Sequence, residues 1–216
     1  MQLRSQGNTL KSTVTDPWEE MTLKTLEEQR QKNRRKQAAA LGGWRAFETY
    51  TLEALIRTPH NKAALEAVLS FDPERENLYF RGPTGTGKSH LAAIAARKHL
   101  DVETITPMRL SREIRAADGA REEAAIIHHY QSLRVLVLDD LGLSRQTEFL
   151  VTILYELVNW RYMNNVNGLI VTSNLSIGDL AEKLGDDRIS SRLAQMCKML
   201  SLVGEKDWRL EKPEAR

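Results

Sequence analysis

Hydrophobic and polar positions change texture along the chain. Residues 1–15 are polar, rich in Ser, Thr, Gln and Asn, and show no period that a helix or strand needs. Asp16 then offers a cap, Pro17 suits a first helical position, and Glu19 and Glu20 sit where a helix start carries partial positive charge. The pattern predicts a helix to about Leu41, stopped by Gly42-Gly43. Its apolar positions (Trp18, Met21, Leu26) are sparse, and its second half is basic: Arg30, Lys32, Arg34, Arg35 and Lys36. Such a helix has little to pack against, so residues 1–43 read as an extension and 44–216 as a globular domain.

Beyond Trp44 short apolar runs alternate with helical periods. Helical stretches are predicted at 51–57 and 60–69, and a strand at 77–81. A helix at 88–99, a strand at 102–106, and helices at 107–117 and 120–132 follow. Val135-Leu-Val-Leu138 is a fully apolar strand. Phe149, Leu150, Ile153, Leu154, Leu157 and Val158 then recur at helical spacing. Asn167-Gly168 turns into a strand at 169–173, and helices at 176–184 and 187–197 precede strands at 199–203 and 207–211. Apolar strands that alternate with helices predict an α/β fold: a parallel sheet covered by helices on both faces.

Composition narrows this only slightly. The chain has 216 residues, 41% of them hydrophobic, enough for a substantial core. Thirty-one basic against 29 acidic residues leave a net charge of +2, which argues against coating nucleic acid by bulk charge but permits a local basic patch. Cys197 is the single cysteine, so neither an internal disulfide nor a cysteine zinc cluster is available. No apolar run reaches the roughly 18 residues of a membrane span, and the start is too polar for a signal peptide, so a soluble cytoplasmic protein is expected.

The chemistry concentrates after the 77–81 strand. Gly82-Pro83-Thr84-Gly85-Thr86-Gly87-Lys88-Ser89 fits G-x-x-x-x-G-K-[ST] in its strand–loop–helix setting. Glycines let backbone N–H groups curl around phosphates, and Lys88 brings a cation to the β- and γ-phosphates. Ser89 offers a hydroxyl to Mg²⁺, and the helix opening through His90 aims its positive end at the anion. These residues, Gly82 to His90, are the expected ATP contacts. Asp139 and Asp140 close the 135–138 strand, at the edge where a parallel sheet binds ligands. Asp139 reads as a direct or indirect Mg²⁺ partner, and Asp140 as the group that orients or deprotonates the attacking water. Asn174 ends another apolar strand and offers an amide to that water or to the γ-phosphate. Arg188 and Arg192 lie four apart on one helix face, and arginines given by a neighbouring subunit stabilise charge at a γ-phosphate.

In this order the motifs resemble an AAA+ ATPase lacking a C-terminal helical lid. They most resemble the bacterial helicase-loader family (DnaC/DnaI type) and its relative, the IstB-type transposition ATPases. The resemblance rests on Phe47, Thr58-Pro-His-Asn-Lys-Ala63, Asn77-Leu-Tyr-Phe-Arg-Gly82, Leu138-Asp-Asp-Leu-Gly142, Ile170-Val-Thr-Ser-Asn-Leu175 and Arg188-Ile-Ser-Ser-Arg-Leu193. It implies that Asn174 is a sensor residue, that Arg192 is an arginine finger acting in trans with Arg188 beside it, and that the chain works as an open ring or spiral. It further implies slow, switch-like hydrolysis. Arg209 is a weak substitute for a lid-borne arginine. A loader reading has the chain bind a hexameric DnaB-type replicative helicase through its N-terminal helix and deliver it onto single-stranded DNA. The alternative is a transposition ATPase that assembles on duplex DNA and recruits a transposase.

The resemblance also places a DNA channel at the segment after the second strand, where Arg109, Arg112 and Arg115 spread over about 120° of a helix. A solvated face is the competing reading. No aromatic residue interrupts these arginines in sequence, so base stacking is not indicated. His128-His129 lacks metal spacing and reads as helix surface.

Overall fold

The computed structural model describes residues 49–99, 101–143 and 147–204. The helix expected within 16–41, Phe47, Arg209 and the strand expected at 207–211 lie outside them.

A turn of 3₁₀ helix at Pro59–Asn61 leads into helix α1 (Lys62–Ser70), strand β1 (Leu78–Arg81) and helix α2 (Lys88–Ala96). Strand β2 (Val102–Ile105), helices α3 (Pro107–Arg115) and α4 (Ala120–Ser132), and strand β3 (Val135–Leu141) follow. Helix α5 (Glu148–Met163) precedes strand β4 (Leu169–Ser173). Helices α6 (Ile177–Leu184) and α7 (Asp187–Met196) then lead to strand β5 (Lys198–Ser201). All strand pairs are parallel, in the order β2-β3-β4-β1-β5.

Period-2 geometry sends successive strand residues to opposite faces, and both faces here are apolar. Val135 and Val137 of β3, Leu78 and Phe80 of β1 and Ile170 of β4 join Leu65, Val68 and Leu91 from α1 and α2. Leu136, Leu138, Tyr79 and Val171 point the other way, into a cluster with Leu110, Ile127, Leu154, Leu157 and Leu193 from α3, α4, α5 and α7. Truncating any of the fully buried leucines to alanine costs about 2–5 kcal/mol. Helix starts follow local chemistry: the Thr106, Thr147, Ser176 and Asp186 side chains accept the backbone N–H groups of Arg109, Leu150, Asp179 and Arg188.

Two expectations are corrected. The predicted helix at 51–57 is a turn, with Thr51 Oγ1 accepting the Ala54 N–H at 3.2 Å. Thr58 precedes a proline and is therefore extended (φ −132°, ψ 159°), leaving too short a run for a helix to nucleate. Strand β3 also continues beyond its apolar residues, through Asp139 and Asp140 to Leu141. Leu138 pairs with Val171 and Leu141 with Ser173, so two aspartates face Thr172 alone and form a bulge.

Arg161 is fully buried. It donates to the carbonyls of Gln131 and Leu133 at 2.9 Å each, and also to that of Asn167, tying the end of α4 to the approach to β4. Burial lowers its pKa to about 10. Cys197 is buried beside this layer, and burial pushes its thiol up to about 12, the setting of an inert thiol.

Candidate phosphate-binding cleft

The loop from Gly82 to Ser89 leaves the carboxyl end of β1, which β4 flanks in the sheet, with β3 one strand further out. Gly87 has φ 89°, a left-handed conformation that a side chain strains. At Gly82 a Cβ would stand 2.3 Å from the Leu202 carbonyl oxygen, so only glycine lets β5's exit pack there. Lys88 is 6% exposed, and its Nζ donates to the carbonyls of Gly82 (2.9 Å) and Pro83 (2.8 Å). The ammonium is thus folded into the loop it serves. Thr86 Oγ1 donates to the same Pro83 carbonyl at 2.8 Å.

Ser89 and Asp139 meet behind the loop. The Ser89 hydroxyl donates to Asp139 Oδ1 at 2.9 Å, and Thr172 donates to the same oxygen at 2.6 Å. Thr172 Oγ1 also accepts the Asp140 N–H at 2.9 Å. One buried hydroxyl therefore holds Asp139 in place and fixes the bulge at Asp140, whose φ of 59° is left-handed. A non-glycine residue in that region costs about 1–3 kcal/mol, and aspartate is among the side chains that tolerate it best. The strain aims Asp140 into the cleft while Asp139, 4% exposed, stays behind Ser89. Burial pushes the Asp139 carboxyl above its ordinary pKa. The Thr172 and Ser89 hydroxyls and the Lys88 charge pull it back, and the Asp140 charge adds to the rise.

Asn174 reaches the cleft from the end of β4 and donates through Nδ2 to Thr84 Oγ1 at 3.2 Å. Ser173 stiffens this corner by donating to the Leu141 carbonyl (2.6 Å) and accepting the Leu175 N–H (3.0 Å). The cleft thus brings together Thr84 to His90, Asp140 and Asn174, while Gly82, Pro83 and Asp139 sit behind its lining, bonded to Lys88 and Ser89.

Its far side consists of residues that sequence reasoning did not single out as contacts: Tyr50, Leu55, Ile56 and Asn61. Tyr50 stacks on His90 at 4.7 Å between ring centroids, and His90 Nε2 lies 2.7 Å from the Thr51 carbonyl. A carbonyl only accepts, so Nε2 carries the proton; burial lowers the imidazole's pKa. Asn61 accepts the Thr58 N–H and donates to the Ile56 carbonyl, shaping the turn that forms this wall. The only sequence signal was the Thr-Pro-His-Asn stretch itself.

Arg188 and Arg192 are not in the cleft. They project from α7 onto α5, with Arg192 Nε donating to Asn159 Oδ1 at 2.8 Å and Arg188 paired with Asp186 at 2.6 Å. Among the described residues Lys88 is the one lysine or arginine lining the cleft. The α3 arginines are elsewhere again. Arg109 is paired with Glu113 at 2.8 Å, Arg112 rests against the Met108 sulfur, and Arg115 lies 5.2 Å over the Phe149 ring. The run of sequence from Arg109 to Arg115 holds no aromatic residue, and the fold brings Phe149 of α5 to Arg115 from elsewhere in the chain. His129 pairs with Glu103 at 2.8 Å.

A hydroxyl and one carboxylate are oxygen donors suited to Mg²⁺, a cation that keeps several other ligands from water and phosphate. Ser89 and Asp139 fit that role. Among the described residues no helix is long and apolar enough to cross a membrane.

Comparison with known proteins agrees with this geometry. A family model described as IstB-like ATP binding protein matches residues 16–215. The chain is 31% identical over 157 residues to the insertion sequence IS21 putative ATP-binding protein of Pseudomonas aeruginosa, covering 69% of this chain and 58% of the relative. It is 23% identical over 155 residues to the replicative helicase loader DnaC of Escherichia coli K12, covering 68% of this chain and 62% of that protein. The chain thus spans less than two thirds of these relatives. The crystal structure of the DnaC helicase loader matches with a TM-score of 0.61 at 24% identity, covering 74% of this chain and 99% of that one. That likeness is one of fold, the AAA+ P-loop architecture.

Proposed function

The chain belongs to the IstB-like ATP-binding protein family, and from that premise we propose that it is an ATP-hydrolysing switch whose active site is completed by a second copy of itself on DNA. One observation carries the reading: among the described residues Lys88 is the one lysine or arginine in the cleft, while Arg188 and Arg192 are displayed on another face.

In this reading the glycine loop cradles the triphosphate, and Lys88 exchanges its carbonyl partners for phosphate oxygens. Ser89 and Asp139 would hold Mg²⁺, which would supply positive charge against the phosphates when bound. Asp140 takes the proton of the water that attacks the γ-phosphorus, while the bond to the β–γ bridging oxygen breaks and ADP leaves. Asn174 orients that water or the γ-phosphate. Arg192 of a neighbouring copy, with Arg188 beside it, meets the charge that develops.

Mixing Lys88→Ala with Arg192→Ala protein tests the shared site. Each alone is expected to be inactive, and the mixture should regain part of the wild-type turnover. No recovery at any ratio overturns the arrangement.

For the biological setting we favour service to an insertion sequence, with assembly on duplex DNA and recruitment of a transposase. The family match and the Pseudomonas aeruginosa relative support it. The α3 arginines, with Arg115 on Phe149, form the DNA-facing surface in this reading. Helicase loading is the second reading, favoured by the similarity to DnaC. In it the 1–43 extension docks on a hexameric helicase and single-stranded DNA is the substrate. ATP-dependent assembly on duplex but not on single strands supports the first reading; the reverse, with a helicase complex lost on removal of residues 1–42, supports the second.

A further inference from the structure

The arginine face is held together by two matched stripes. On α5, Tyr155, Asn159 and Tyr162 fall at i, i+4 and i+7; on α7, Arg188, Arg192 and Gln195 do the same. That spacing puts each trio on one helix face, and the two faces meet. The Tyr162 hydroxyl donates to Gln195 Oε1 at 2.7 Å, and Asn159 accepts from Arg192 Nε at 2.8 Å. Tyr155 deals with both arginines. The Arg188 guanidinium lies 4.3 Å and that of Arg192 4.9 Å from its ring centroid, and its hydroxyl accepts from Arg192 Nη2 at 3.3 Å.

Two cations on one ring need balancing charge. The ring's negative face meets both guanidinium groups, and Asp186 pairs with Arg188. Arg192 Nη1 also donates to the Arg188 carbonyl at 3.1 Å, so three of the five N–H groups of Arg192 are spent on its own subunit. The remaining N–H groups are left for an incoming phosphate, on a guanidinium whose rotamer freedom is already reduced. Arginine loses much side-chain entropy when it is fixed, so fixing it before assembly lowers the barrier to the reaction it stabilises.

We propose that Tyr155 is a positioning residue for the site in the neighbouring subunit, holding Arg192 and Arg188 at the angle they present to the partner's γ-phosphate. This rests on the trans reading given above. It predicts a defect with direction: Tyr155 variants are impaired as donors of arginines but intact as owners of a nucleotide cleft.

Mixed-subunit ATPase assays with the full chain read that direction. Tyr155→Leu keeps an apolar side chain and removes both the ring and the hydroxyl. Its kcat is expected to fall about tenfold with unchanged ATP affinity, and Tyr155→Phe, which keeps the ring, should stay within about threefold of wild type. Mixed with Lys88→Ala, the Tyr155→Leu protein should regain turnover, because its cleft can use the arginines of the Lys88→Ala subunit. Mixed with Arg192→Ala it should show none beyond its own, because both lesions lie on the same side. Recovery with Arg192→Ala, failure with Lys88→Ala, or a Tyr155→Leu kcat equal to wild type each overturns the proposal. Failure of the trans reading itself is seen separately, as no recovery between Lys88→Ala and Arg192→Ala.

Discussion

The phosphate cleft and the arginine face hold their working groups by different means. In the cleft the supports are backbone and buried hydroxyls: a glycine loop, the Gly82 and Pro83 carbonyls around Lys88, and Thr172 bracing both aspartates. On the α5–α7 face the supports are partly solvated side chains, with Arg192 half-buried on Tyr155 and Arg188 exposed beside Asp186. A site that must close around phosphates gains from rigidity. A surface that must dock on another subunit has to stay presentable to solvent, and stacking fixes a guanidinium without burying its charge.

Substitutions on the two sides should therefore fail differently. Arg192→Ala is expected to lower the kcat of the assembled ATPase about a thousandfold, with ATP affinity of the isolated chain unchanged. A parallel loss of affinity would move Arg192 into the cleft's own function and erase the distinction. Asp140→Asn should bind ATP normally and lose about a hundredfold or more in kcat, since the amide takes no proton. Wild-type turnover there would remove Asp140 from its role as base. Lys88→Ala should weaken ATP binding by about a hundredfold, measured by displacement of a fluorescent analogue, because charge-assisted bonds to phosphate are lost.

The same contrast explains what was legible in the sequence. The Gly82–Ser89 loop and the Asp139-Asp140 pair were readable because their chemistry is contiguous and each ends an apolar run. The parallel sheet followed from strands apolar on both faces. Contacts that depend on how helices cross were not readable: Tyr155 with Arg192, Phe149 with Arg115, and Tyr50 with His90 join residues tens of positions apart. Strand β3 was read short because two acids after an apolar run look like its end. Hydroxyls from Ser89 and Thr172, whose contact with Asp139 no one-dimensional pattern shows, satisfy the buried carboxylate and let the strand continue.

The smallest effect sharpens the contrast from the side of stability. Asp139 is buried and its pKa is raised, chiefly by loss of solvation. A carboxyl whose folded pKa exceeds its unfolded value favours folding while protonated, and loses that contribution as pH rises through the folded value. Once ionised, Asp139 therefore costs stability in the nucleotide-free chain. Asp139→Asn removes the charge and keeps an oxygen that can accept from Ser89 and Thr172. The substituted chain, without nucleotide or Mg²⁺, should melt about 2–4 °C higher at pH 7.5, an effect on the order of 1 kcal/mol. As pH falls through the raised pKa of the Asp139 carboxyl the gain should shrink, because the wild-type group then takes up its proton. Mg²⁺-dependent stabilisation by ATP should fall at the same time. A lower melting temperature for Asp139→Asn at pH 7.5 would show that the two hydroxyls more than repay the burial of the charge. The cleft would then be as relaxed as the arginine face rather than held under electrostatic strain until the metal arrives.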